Sequence, residues 1–97
     1  MSENFFILMR INSLINRMKE EEDIECRKID FFGLKSIIGK LNELNSGNVY
    51  MKEKSGDLLR YLKWLAHIDH PGQDDRIYME NINKTVSELR SDNYLYF

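Results

Sequence analysis

Ninety-seven residues carrying a net charge of −2 hold one domain, because two cores would leave each half too small to bury its share of surface. Hydrophobic residues make up 42% of the chain, which excludes a disordered class and supports a single core. The near balance of 14 basic and 16 acidic residues removes the simplest argument for nucleic-acid binding, and the longest apolar run, Phe5 to Met9, is far short of the ~20 residues that span a bilayer.

That run also follows Glu3 instead of a basic segment, so a cleaved export signal is not expected. The single cysteine, Cys26, has no partner for an internal disulfide, which suits a reducing cytoplasm. Ile occurs 10 times and Asn 9 times while Ala occurs once, a composition matching A- and T-rich codons and hence a low-GC bacterium, a mobile element or a phage.

Periodicity predicts an all-α fold of about four amphipathic helices in one domain, 1–97. The first covers about 3–22, where Leu8, Ile11, Ile15 and Met18 step by three and four residues along one face. Ser2 or Asn4 offers the cap. Glu20, Glu21, Glu22 and Asp23 then gather negative charge at the unfavourable end of the helix dipole, predicting a break, with 24–29 as a connector or weak continuation. The second helix is expected over 30–44 with Asp30 as its cap and Phe31, Leu34, Ile37, Ile38, Leu41 and Leu44 as its apolar stripe. Gly33 and Gly39 within it allow a close helix contact or are incidental.

Asn45-Ser46-Gly47-Asn48 reads as a loop, and the weak alternation of Val49 to Lys54 as irregular chain dropping Val49 or Met51 into the core. A third helix follows over 56–69 on Leu58, Leu62, Leu65 and Ile68, ended by Pro71-Gly72. Asp74 or Asp75 caps a fourth over 75–90, on Met79, Ile82, Val86 and Leu89. The aromatic C-terminal tail, Tyr94-Leu95-Tyr96-Phe97, must pack on its own domain or find a partner.

Catalytic constellations are weak. His67, Asp69 and His70 form the one cluster with metal-ligand chemistry, but no cysteine or third histidine completes a set and His70 directly precedes Pro71. Solvated helix-end residues are the expectation, and no metal or other cofactor is assigned. Cys26 has only Arg27 and Lys28 nearby to lower its pKa, and the five glycines are scattered singly, giving no phosphate loop. No catalytic residue is assigned and no enzyme is expected. A helix-turn-helix would need a three- or four-residue link between the second and third helices, where about ten are expected.

The acidic runs are more informative. Glu20 to Glu25 make one patch, and Asp69, Asp74 and Asp75 another. Acidic faces beside tyrosines suit docking on a basic, nucleic-acid-handling protein, because opposite charge speeds encounter and aromatic anchors supply affinity. Asp69, Asp74, Asp75, Tyr78, Tyr94, Tyr96 and Phe97 are the expected contact residues of a non-enzymatic inhibitor or regulator. A merely solubilising surface accounts for the same charges. Two other classes compete: a self-assembling protein paired through Leu8, Ile11, Ile15 and Met18, and a nucleic-acid-binding regulator.

The segment His70-Pro71-Gly72-Gln73-Asp74-Asp75-Arg76-Ile77-Tyr78 resembles the His-Pro-Ser-Gly-Ser-Asp-x-Ile-Tyr-Tyr-Pro stretch of the immunity proteins that protect against DNase colicins and pyocins. His70, Pro71, Asp75, Ile77 and Tyr78 match without a gap, while Met79 and Glu80 replace the family's second tyrosine and closing proline. In that family the stretch is a short helix of a four-helix bundle and anchors an acidic surface on the nuclease. The resemblance implies that Asp75 and Tyr78 lie in a contact surface.

Overall fold

The computed structural model describes residues 3–92, with side chains through Arg90, and the tail residues Tyr94, Tyr96 and Phe97 lie outside the described residues. Four helices follow in order: α1 (Glu3–Glu20), α2 (Ile24–Leu44), α3 (Val49–Leu65) and α4 (Asp75–Asp92). No described helix is long and apolar enough to cross a membrane.

The apolar stripes meet in one core. Leu8, Ile11, Ile15 and Met18 of α1 join Phe31, Leu34, Ile38 and Leu41 of α2, Met51, Leu58, Leu62 and Leu65 of α3, and Tyr78, Ile82 and Leu89 of α4. Sequential neighbours pack most closely, α3 with α4 above all, and α1 meets α4 only sparingly. Because the α1 stripe is 6% exposed or less, it is covered by its own chain, and the seam for a second copy proposed on those four residues is not available.

Both inner helices begin earlier than expected. Asp23, not Asp30, caps α2: its carboxylate accepts the Glu25 N–H at 2.9 Å. The same negative charge that opposes the end of α1 is favourable at the start of α2, so residues 24–29 are helical. Asp30 lies within α2, buried, and pairs with Arg17 of α1. Asn48 caps α3 by accepting the Met51 N–H at 3.0 Å, which makes Val49 to Lys54 helical and shortens the α2–α3 link to residues 45–48. Gly47, at φ 96°, makes the reversal within that link. A Cβ added at Gly33 or Gly39 would meet nothing within 4 Å, so neither glycine serves a close contact between helices of the same chain.

The third helix ends earlier than expected, at Leu65, in a Schellman arrangement. The Ile68 N–H donates to the Lys63 carbonyl at 3.1 Å and the His67 N–H to the Trp64 carbonyl at 2.9 Å. His67 occupies the left-handed position usually held by glycine, at φ 59°, and Asp69 follows at φ 49°. Asp74 caps α4, its carboxylate accepting the Arg76 N–H at 2.8 Å.

Candidate functional site

The two acidic runs, far apart in sequence, share one end of the bundle. Glu20, Glu22, Asp23 and Glu25 surround the α1–α2 link, and Asp69 and Asp74 lie in the α3–α4 connection, all exposed. Arg27, on the first turn of α2 and only 8% exposed, holds these segments together. Its Nε donates to the Glu21 carbonyl at 2.6 Å, and its Nη1 donates to the Leu65 carbonyl at 3.1 Å and to Asp75 Oδ2 at 2.7 Å. One guanidinium thus serves the ends of α1 and α3, where helix dipoles are negative, and the first turn of α4.

Asp75 is therefore an internal partner, not a free docking carboxylate. Its other oxygen meets His67 Nε2 at 2.8 Å, a contact made possible by the left-handed backbone of His67. Burial opposes ionisation of Asp75, but the hydrogen bonds from Arg27 and His67 outweigh it and hold the carboxyl below its ordinary range. A folded-state pKa below the unfolded value means that this stabilisation is fully present above about pH 4 and is lost as pH falls through the lower, folded value. Glu88, lowered by its hydrogen bond with Lys54 across α3 and α4, adds a loss of the same sign. In urea titrations between about pH 5 and pH 3, Asp75→Asn is expected to fall less steeply in stability than the wild type; parallel declines would contradict this coupling.

Tyr78 corrects the expectation most sharply. It is fully buried, its ring lies 5.9 Å from that of Trp64, and its hydroxyl accepts the Gln73 N–H at 3.0 Å. The same hydroxyl is 3.2 Å from His70 Nδ1, which also receives the Gly72 N–H at 3.3 Å. With an N–H already aimed at Nδ1, the consistent assignment has the tyrosine donating to it and the imidazole proton on Nε2. Tyr78 therefore anchors the His70–Gln73 loop from within, because its ring fills the core beside α3, and cannot belong to a contact surface.

His67 and His70 stack with ring centroids 4.6 Å apart and planes inclined by 18°, so their nitrogens do not converge. Among the described residues no group of three His, Cys, Asp or Glu side chains is placed to hold a metal ion. Burial and then the nearby Asp23, Glu21 and Asp30 carboxylates raise the pKa of the Cys26 thiol, the opposite of what a nucleophile needs. The short α2–α3 link removes the length objection to a helix-turn-helix. The outward strip of α3, however, mixes Lys52 and Arg60 with Glu53, an unfavourable surface for phosphates.

Arg27 and Asp30 were missed as structural charges. The signal for Arg27 was present: Ile24, Arg27, Phe31, Leu34, Ile38 and Leu41 keep the step of three and four, placing the arginine within the stripe. The class these features define is a small all-α bundle with an acidic end stapled by a buried arginine. Compared with family models, curated proteins and solved structures, the chain matches none.

Proposed function

We propose that this chain is a non-enzymatic helical protein that inhibits or regulates a protein partner by occupying its surface, presenting its acidic end to a basic face such as nucleic-acid-handling proteins carry. The observation that carries this reading is the convergence of Glu20, Glu22, Asp23, Glu25, Asp69 and Asp74, all exposed, on one end of the bundle. Opposite charge concentrated in this way steers a basic partner and fixes its orientation. The resemblance to nuclease immunity proteins agrees only in kind, as a small acidic helical bundle, since Asp75 and Tyr78, the contact residues it implies, are both engaged within the fold. The unpaired Cys26 supports a cytoplasmic site of action, and the A- and T-rich composition supports a phage or mobile-element origin.

Affinity capture from host lysate, with the full chain as bait and the proteins identified by mass spectrometry, tests the reading. A stoichiometric basic partner should be retained at low salt and lost when Glu22 and Asp69 are both changed to Lys. Recovery of no such partner, or capture indifferent to the charge reversal, would count against it.

A further inference from the structure

The outer face of the α1–α2 pair carries two grooves at opposite ends of one seam. The larger, 610 Å³, is lined by Phe6, Ile7, Arg10, Ser36, Ile37 and Lys40, with Glu43 at its edge. The smaller, 180 Å³, is lined by Arg17, Glu21, Cys26, Ile29 and Asp30. Phe6 is 58% exposed and Ile29 is 68% exposed, unusual for large apolar side chains on a body with a well-filled core.

We infer that this face docks on the same face of a second copy in an antiparallel, two-fold arrangement, with Ile29 of each protomer seated in the Phe6–Ile37 groove of the other. Three features favour a second copy as the occupant. First, the face is complementary to itself in shape: a projecting Ile29 lies about 12 Å along α2 from the groove at Ile37, at 1.5 Å per residue, so a two-fold rotation exchanges knob and groove.

Second, it is complementary to itself in charge. Arg10 lines the large groove beside Lys40, which pairs with Glu43 at 4.0 Å, whereas Glu21 lines the small one beside the Glu20–Glu25 run. Arg17 is already paired with Asp30, so it leaves that end acidic. Antiparallel docking sets the basic end of each copy against the acidic end of the other. Third, the midpoint between Ile29 and Ile37 is Gly33, exposed and with nothing within 4 Å of where a Cβ would stand, so the two α2 helices can approach closely there. The dimer draws on the same Glu20–Glu25 run as the basic partner proposed above, but association of the purified chain alone is read without that partner, so the two readings can fail separately.

Sedimentation equilibrium on the full chain tests it, with circular dichroism confirming that each variant is folded. The wild type should be a dimer, and Ile29→Glu should weaken association roughly 100-fold or more, because each substitution removes two symmetry-related contacts. Arg10→Glu and Glu21→Arg should each weaken the dimer, and the two combined should restore it. In a Cys26→Ser background, Gly33→Cys should form an intermolecular disulfide under mild oxidation, since a residue at the two-fold axis faces its own copy. A wild type that stays monomeric at millimolar concentration, or a dimer insensitive to Ile29→Glu and not cross-linked through Gly33→Cys, would overturn the inference.

Discussion

Replacing Arg27 with methionine is expected to lower the unfolding free energy by about 3–5 kcal/mol, measured by urea or thermal denaturation. Methionine fills much of the volume but leaves the Asp75 carboxylate without its charged partner and the Glu21 and Leu65 carbonyls without their donor. The loss comes chiefly from stranding these groups, as expected when one member of a buried ionic network is removed. Adding Asp75→Asn to Arg27→Met should recover part of it, since the abandoned charge is then gone. Arg27→Lys should fall between: an ammonium is a point donor and cannot span three acceptors that a planar fork reaches together. An Arg27→Met loss below about 1 kcal/mol would show that the three helix ends are held by packing alone.

Changing Tyr78 to alanine should be equally damaging, at about 3–5 kcal/mol, because a fully buried ring is deleted from the contact between α3 and α4. Phenylalanine separates the two contributions of this side chain. It keeps the ring, removes the hydroxyl bridging Gln73 and His70, and should cost about 1 kcal/mol. The loss is small because Gln73 is exposed and water can replace the acceptor. Tyr78→Phe should also leave partner capture intact, whereas a surface anchor would weaken binding without weakening the fold. A selective loss of binding in that variant would place the His70–Gln73 loop, which the Tyr78 hydroxyl holds, in the contact surface.

The helices and their buried stripes were legible because apolar side chains at steps of three and four leave little alternative. Leu8, Ile11, Ile15 and Met18 are buried as a set, as are Leu58, Leu62 and Leu65. The starts of α2 and α3 were not legible. Asp23 stands in a row of acids that reads as a poor end for one helix, although the last of them is a good beginning for the next. Asn48 precedes Val49 and Tyr50, which read as extended chain until Met51 is seen to be the first buried residue of α3.

In α4 the stripe is rotated by one residue. Tyr78, Ile82, Thr85 and Leu89 are buried, while Met79 and Val86 occupy its margin. A tyrosine beside acidic residues reads as surface, and only the partners supplied by α3 and the 70–73 loop decide otherwise. The acidic end was visible as two patches but not as one. Its unity depends on Arg27 reaching Asp75 across 48 residues of sequence, a distance over which local pattern carries no information.

The neighbour-to-neighbour order of the helices has a further consequence for how the chain comes apart. Each helix leans mainly on the one beside it in sequence, so its contacts close short stretches of chain, a topology that favours rapid assembly. It also leaves α1 with a single broad wall, α2, and only a slender hold on α4 through contacts such as Lys19 with Asn83. Under mild denaturing stress the first helix is accordingly the segment best placed to swing free while the remaining three stay joined.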